Sequence, residues 1–288
     1  MRRLTTERRA AILTSLVEGN SVASTCRMVG VAKLTVLLLL SDAGSFCADF
    51  HNLNVRRLLS ARVEADEHWS FCGCKAATKA KGGMGHGNIW TWTAIDADTK
   101  LCVSYLVADR GGAAAKAFMA DLASRVQSRI QLTTDAHGAY PAAVAEAFGG
   151  AVDYAVVRKV FASDRVGEAR YSPPRVTGCT KEPVEGAPDL VTASTSYAER
   201  LNLSVRMGSR RFTRLTNGFS KRAESHALAV ALHFWHYNFS QKHATLKTTP
   251  AVAAGIADTA NTMRDLALMI EDEERKLGGR LTDYLPAA

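Results

Sequence analysis

A ten-residue segment of alternating chemistry constrains the fold of this chain most. Residues 62–71 (RVEADEHWSF) repeat at period two, a pattern that predicts a β-strand with one apolar and one polar face. The apolar face would carry Val63, Ala65, Trp69 and Phe71, and the polar face Glu64, Asp66, His68 and Ser70. Asp66 falls in mid-strand, where a buried charge costs free energy unless something offsets it. A bound cation is one such offset, so Asp66 is a candidate metal ligand.

Two later acids could share that cation. Asp135 ends the segment 130–135 (IQLTTD), and Glu199 lies within 195–200 (TSYAER). Carboxylate oxygens are the ligands that hard divalent cations prefer. Two such ions about 4 Å apart can clamp the attacking and leaving oxygens of a phosphoryl displacement. If the fold brings the three acids together, they predict a metal-dependent phosphoryl transfer.

Each acid also has a purely structural interpretation. Asp66 and Asp135 could be ordinary acids at strand ends or turns. Residues 196–199 match the capping box S-x-x-E, in which Glu199 would only satisfy the free N–H groups of a helix N-terminus. The spacing of the acids does not decide between these interpretations and a metal site.

The charge balance favours a polyanionic partner. The 288 residues carry a formal net charge of +8, with a pI of about 9.3. A basic surface without such a partner would give the same composition. The length predicts about two domains. No apolar run approaches the ~20 residues that span a bilayer, and the N-terminus lacks the pattern of a signal peptide. We therefore expect a cytoplasmic protein with no membrane partner. The six cysteines show no paired CxxC spacing, which favours free thiols over a zinc site.

The beginning of the chain predicts a small helical DNA-binding domain. The expected helices cover residues 5–19, 22–30 and 32–40. Two short helices joined by a glycine-containing turn are the helix-turn-helix pattern, whose second helix enters the major groove of DNA. Arg27, Lys33 and Thr35 are then the candidate DNA contacts. The alternative is a helical bundle with a basic surface.

The order of the later elements is that of the ribonuclease H-like fold. Three strands precede helix, strand, helix, strand and helix, and acids fall on the first strand, the fourth strand and a late helix. In that fold the first and fourth strands are neighbours, so Asp66 and Asp135 should approach each other and the late helix should bring Glu199 alongside. We therefore expect an α/β protein, with a ribonuclease H-like mixed sheet flanked by helices and an N-terminal all-α helix-turn-helix domain. The expected divisions are the helix-turn-helix domain over 1–60, the catalytic domain over 61–245 with an insertion or loop at 162–193, and a C-terminal helical tail over 246–288.

A run of basic residues follows Glu199. Residues 200–222 contain seven lysines and arginines and no acid, whereas a solvated helix face normally mixes the two signs. Beside a metal site, such a run suits contacts to a phosphate backbone, and a basic surface strip is the alternative. The candidate DNA contacts in this run are Arg200, Arg206, Arg210, Arg211 and Arg214.

Five segments together resemble the bacterial insertion-sequence transposases of the insertion-sequence-one family. They are residues 66–71 (DEHWSF), 90–96 (WTWTAID), 132–135 (LTTD), 195–203 (TSYAERLNL) and 210–217 (RRFTRLTN). The resemblance implies that Asp66, Asp135 and Glu199 are the catalytic Asp-Asp-Glu triad and ligate Mg²⁺ or Mn²⁺, with two ions expected.

The same resemblance implies a function and its partners. The chain would bind the terminal inverted repeats of an element, cleave DNA strands there and transfer them to target DNA. We expect it to work as a homo-oligomer on double-stranded DNA in the bacterial nucleoid. The alternative is a DNA-binding regulator, or a degenerate transposase whose catalytic domain is inactive.

Overall fold

Six strands and nine α-helices occur in the residues that the computed structural model describes, 4–74, 87–161, 176–213 and 216–284. The strands are β1 (Arg62–Cys72), β2 (Gly87–Asp96), β3 (Cys102–Ala108), β4 (Ile130–Asp135), β5 (Val152–Phe161) and β6 (Val176–Glu185). The helices are α1 (Thr6–Val17), α2 (Val22–Val29), α3 (Lys33–Asn54), α4 (Gly112–Arg125), α5 (Tyr140–Phe148), α6 (Ser196–Gly208), α7 (Ala223–Trp235), α8 (Pro250–Ala253) and α9 (Met263–Leu277). A π-helical segment, His236–Ser240, continues α7, and short 3₁₀ turns lie at Arg210–Phe212 and Leu281–Tyr284.

The strands form one mixed sheet in the order β3-β2-β1-β4-β5-β6. Strands β1, β4 and β5 are parallel to one another, and β2, β3 and β6 pair antiparallel with their neighbours. The meander β1-β2-β3 and the adjacency of β1 and β4 agree with the sequence-based prediction. The sheet is flanked by helices, so the α/β class is confirmed and the architecture is compatible with a ribonuclease H-like fold.

Strand β6 corrects one prediction. Residues 162–193 were expected to be an insertion or loop, but 176–185 pair antiparallel with β5 at the edge of the sheet. Most side chains of β6 are exposed, and Pro183 lies within it. An edge strand open to solvent needs no apolar alternation and tolerates proline, because one side of its backbone has no partner. Strands are predicted from apolar alternation and the absence of proline, and β6 shows neither. Residues 162–175 lie outside the described residues.

Buried apolar residues cover both faces of the sheet. On one face, Phe118 and Leu122 of α4 and Val144 of α5 belong to the same core as Val63 and Trp92 of the strands. On the other face, Leu201 and Val205 of α6 and Phe234 of α7 pack against Ile95 and Cys102. Because α6 lies over β1 and β2, the polar side chains of β1 on that face are covered by a helix.

The N-terminal helices pack against the rest of the molecule. Buried residues of α1 and α3 belong to the same core as the sheet, and Arg9 of α1 donates two hydrogen bonds, of 2.9 and 3.0 Å, to Glu274 of α9. Helix α3 was expected to end near Leu40, but it continues to Asn54. The later part contains small residues such as Gly44, where an added Cβ would lie 2.6 Å from the Cβ of Leu228. Small residues at this close contact with α7 hid the helix from an analysis of apolar spacing.

Helix α3 is the one helix in the described ranges that is long and apolar enough, by length and composition, to cross a membrane. Half of its most apolar stretch is buried against the rest of the protein. The helix packs along α7, as a core helix does.

Candidate metal centre

Asp66 and Asp135 lie side by side where β4 ends next to the middle of the parallel strand β1. The register of β1 and β4 ends at the pair Ala65 and Thr134, and the two aspartates follow directly. Ligand oxygens of Asp66, Glu67 and Asp135 all lie within 4.8 Å of one another. The fold therefore brings together two of the three acids predicted from the sequence, and it adds Glu67.

Glu67 is held from the side of the sheet that carries α4 and α5. Tyr140 donates a hydrogen bond of 2.7 Å to its Oε2, and Arg110 donates one of 2.8 Å to its Oε1. The side chain of Glu67 is fully buried, and its charge is balanced on one side by the Arg110 guanidinium. Strand alternation points Glu67 away from Asp66, so the sequence pattern does not group Glu67 with the other acids. The available signal was a charged residue on the otherwise apolar face of the predicted strand.

Asp66 is oriented by two donors. Asn202 of α6 donates a 2.7 Å hydrogen bond to Oδ2, and the backbone N–H of Glu67 donates one of 2.9 Å to Oδ1. Burial, together with the negative charges of Glu67 and Asp135, raises the pKa of Asp66 to about 7. Burial and the charge of Asp135 also raise the pKa of Glu67. A cation among these carboxylates would remove the repulsion that causes part of both shifts.

Glu199 lines the same cleft but lies outside the group of three close carboxylates. The cleft has a volume of about 620 Å³ and is also lined by Asp66 and Asp135. Glu199 lies on the first turn of α6. Its Oε1 accepts a 2.8 Å hydrogen bond from the Thr195 hydroxyl and forms an ion pair with Lys159. The structure thus places Glu199 beside the acidic group, with its charge paired to a lysine.

The capping interpretation of Glu199 is not supported, because another acid caps α6. The backbone N–H groups of Tyr197 and Ala198 donate hydrogen bonds of 2.7 and 3.1 Å to Oε2 of Glu64. Glu64 is buried on β1, two residues before Asp66. One strand therefore supplies both the cap of α6 and the central carboxylate of the site.

Three cations lie in the cleft with the acids. Arg110, Arg158 and Lys159 all line it. The Arg110 guanidinium also lies 4.4 Å from the centre of the Trp90 ring, which fixes its position between that ring and Glu67. Positive side chains in a cleft attract anions such as phosphate, even where carboxylates lie nearby.

The predicted DNA-binding residues that the structure describes lie on four elements: α2, α3, α6 and the 3₁₀ turn after α6. Arg200 is exposed beside Glu199, and Arg206 is partly exposed one and a half turns later on α6. Arg27 and Lys33 are exposed on α2 and α3, whereas Thr35 is partly buried. Whether these helices enter a DNA groove stays a prediction.

Two other predicted contacts lie on the 3₁₀ turn after α6. Arg210 and Arg211 line a separate cleft together with Lys33. Arg211 donates a 2.8 Å hydrogen bond to Ser220. Arg214 lies outside the described residues.

Comparison with known proteins shows distant structural similarity alone. No protein-family model matches the chain, and no curated protein matches it. Among solved structures, the cryo-EM structure of a piggyBac transposase synaptic complex with hairpin DNA is similar over 80% of this chain and 55% of that chain, at 10% identity and a TM-score of 0.33. The chain thus spans about half the length of that transposase, and a similarity this low carries no argument about function. What the fold and site define is an α/β protein with an acidic cleft where β4 ends beside the middle of the parallel strand β1.

Proposed function

We propose that this protein is a metal-dependent DNA transposase of the Asp-Asp-Glu type. It would cut DNA strands at the ends of an element and join them to target DNA. The observation that supports the proposal best is the convergence of Asp66, Glu67 and Asp135 within 4.8 Å, with Glu199 lining the same cleft. Membership of the insertion-sequence-one family belongs to this proposal and rests on the sequence segments already described.

The residues present fit a hard divalent cation such as Mg²⁺ or Mn²⁺. All the close donors are carboxylate oxygens, the ligand type that these ions prefer. Burial and mutual repulsion raise the pKa values of Asp66 and Glu67, which marks the group as short of positive charge. When bound, two such ions supply charge stabilisation for the attacking and leaving oxygens of a phosphoryl displacement.

The chain's own residues position the reacting groups. Asn202 fixes the orientation of the Asp66 carboxylate, and Arg110 and Tyr140 fix that of Glu67. Arg158 and Lys159 line the cleft, where they can bind the phosphates that flank the reacting one. In this proposal the basic residues bind DNA, and the acidic residues support the phosphoryl transfer.

One observation favours a second candidate, a DNA-binding regulator with an inactive catalytic domain. Lys159 pairs with Glu199, so the chain itself already offsets the charge of that carboxylate. A regulator would use the basic residues to retain DNA and would not cut it.

The two candidates differ in a cleavage experiment. Asp66→Asn, Asp135→Asn and Glu199→Gln should each reduce Mg²⁺- or Mn²⁺-dependent nicking of a labelled duplex that carries the DNA flanking the coding region. The expected loss is about a hundredfold or more, because a ligand of the charge-stabilising site is removed. Gel retention of the same duplex should stay within about threefold, since phosphate contacts come from lysine and arginine.

Matched controls remove exposed acids elsewhere. Glu146→Gln and Asp272→Asn change side chains that are 61% and 58% exposed on α5 and α9, and both should cut as the wild type does. A wild-type protein that retains the duplex but never nicks it with either metal would establish the regulator instead. A variant that cuts at the wild-type rate would exclude that residue from the catalytic set.

A further inference from the structure

A second cleft lies where the N-terminal helices meet the end of α6 and the start of α7. Its volume is about 500 Å³, within the range of pockets that hold a small organic ligand. It shares no lining residue with the acidic cleft. One wall is apolar and is built from Leu16 and Val17 of α1, Leu37 of α3, and Leu228 and Leu232 of α7.

The rim of this cleft carries charge of one sign. Its charged lining residues are Lys33, Arg210, Arg211, Lys221 and Arg222, with no acid among the residues described there. None of the five forms a salt bridge within the described part of the chain. Burial lowers the pKa of the Arg211 guanidinium. A cleft with cations of one sign and low-dielectric walls concentrates anions.

The N-terminus of α7 adds to the attraction for an anion. This helix has 13 residues, and its N-cap Arg222 makes no side-chain hydrogen bond to the first turn. Ser225 of that turn lines the cleft. Free backbone N–H groups and the positive end of the helix dipole together bind phosphate groups in many proteins.

Polar groups interrupt the apolar wall. Asn20, Ser41 and Asn217 line the cleft, and an amide side chain can bond the edge of a nucleobase through both of its polar atoms. His233 also lines it, is 3% exposed, and has no hydrogen-bond partner at either ring nitrogen among the described residues. A hydrocarbon chain would leave these groups unpaired, which costs free energy, whereas a nitrogen heterocycle can bond them.

We propose that this cleft binds a nucleotide, with the phosphate at the basic rim and the base against the apolar wall. The nucleotide can be free, or it can be a nucleotide turned out of a DNA strand. The cleft adjoins Gly208, nine residues after Glu199 on α6, which is about 14 Å along the helix. That distance is roughly four nucleotide steps of a DNA strand. The proposal does not require cleavage activity.

Calorimetric titration of the full chain with deoxyadenosine monophosphate tests the site. Two variants attack its two halves: Arg222→Glu reverses an exposed rim charge, and Leu37→Trp fills the apolar side. Each should weaken nucleotide binding by about tenfold or more, the effect of losing one charged contact or one buried wall. The matched control Lys242→Glu makes the same charge change at an exposed lysine that does not line the cleft, and it should bind as the wild type does.

A second blocking variant and a second probe keep the test decisive. If Leu37→Trp melts at a lower temperature than the wild type, Ser41→Trp fills the same cleft from a partly exposed position. Inorganic phosphate should displace deoxyadenosine monophosphate from the cleft only at far higher concentrations. Equal competition by phosphate, or unchanged binding in folded variants with a filled cleft, would overturn the proposal and leave only a basic surface.

The source of the nucleotide is found with DNA that lacks single bases. Gel retention is measured on duplexes in which one nucleotide at a time is replaced by an abasic unit. If an abasic unit at one discrete position lowers the affinity of the wild type for the duplex but not that of Leu37→Trp, the ligand is a nucleotide turned out of the strand. Binding of the free nucleotide with no sensitive position identifies a free ligand. If the free nucleotide does not bind and no position is sensitive, the proposal is wrong.

Discussion

At the scale of single residues, the acids of the proposed metal site differ in how their side chains are held. Glu67 lies within the close group, and its side chain is already held by Arg110 and Tyr140. Glu199 lies on the cleft wall, where its Oε1 is paired with Lys159. We propose that Asp66, Asp135 and Glu67 hold a first ion and that Glu199 serves a second one.

This assignment predicts unequal effects of two conservative changes on metal binding. Glu67→Gln should weaken the first Mn²⁺ binding step by about tenfold or more, because it removes a charged ligand of a preformed group. Glu199→Gln should leave that first step nearly unchanged and weaken only a second one. Calorimetric Mn²⁺ titration measures both steps, with Glu146→Gln as the control for an exposed glutamate. Equal losses in the two variants would contradict the order proposed here.

The sequence predicted part of this site and missed the rest for identifiable reasons. The proximity of Asp66 to Asp135 follows from placing them on neighbouring parallel strands, Asp66 within β1 and Asp135 at the end of β4, so strand order was sufficient. Glu67 was missed because strand alternation assigns it to the opposite face. The pairing of Glu199 with Lys159 depends on how β5 and α6 meet, a contact between residues 40 positions apart that no local pattern reports.

At the scale of elements, Glu64 connects β1 to the start of α6. Its Oε2 accepts hydrogen bonds from the N–H groups of Tyr197 and Ala198, on the turn that also carries Glu199. This contact places the third predicted acid relative to the strand that holds Asp66. A break in it should disturb both the stability and the alignment of the site.

Removing this cap should therefore lower stability and activity together. Glu64→Ala leaves two first-turn N–H groups without their acceptor, so the free energy of unfolding should fall by about 2 kcal/mol. Glu64→Gln keeps an acceptor oxygen and should lose less. Urea denaturation measures both variants, with Glu182→Ala on the exposed edge strand β6 as the control. A Glu64→Ala protein as stable as the wild type would show that solvent replaces the cap.

Elements with a strong pattern were predictable, and those shaped by their neighbours were not. The meander β1–β3, helix α4 and strand β4 show apolar spacing that reflects their burial on one face. Strand β6 has no such spacing because it is an exposed edge. The second half of α3 is buried through small and polar residues that fit against α7, a long-range contact that a local pattern does not carry.

At the scale of the whole molecule, metal binding should depend on pH through Asp66. Burial and its acidic neighbours raise the pKa of Asp66 to about 7, so a proton competes with the metal below that pH. Mn²⁺ should consequently raise the melting temperature more at about pH 8 than at about pH 6. Asp66→Asn should remove most of the metal effect at both values. A melting-temperature shift that is the same at the two pH values in the wild type would contradict this linkage.

Four buried histidines should set the acid limit of stability. The rings of His68 and His226 contact the Phe212 ring, with centroids 4.9 and 4.8 Å away, His233 lies against Gly208, and His51 donates a hydrogen bond to the Val103 carbonyl. Burial lowers the pKa of each to about 3. The unfolded chain binds these protons near pH 6.5, so the stability present above that pH is lost as the pH falls towards 3.

Each histidine should contribute roughly 1.4 kcal/mol per pH unit to this loss. Asp66 acts with the opposite sign: its raised pKa gives stability that is present below about pH 4 and lost as the pH rises through about 7. Urea denaturation between about pH 7.5 and 4.5 should therefore show a net fall in the free energy of unfolding towards acid. His226→Gln should reduce that slope by the contribution of one histidine. Asp66→Asn should make the slope steeper, because it removes a group whose titration has the opposite effect on stability. A wild-type slope near zero would contradict the net uptake of protons that is expected on unfolding.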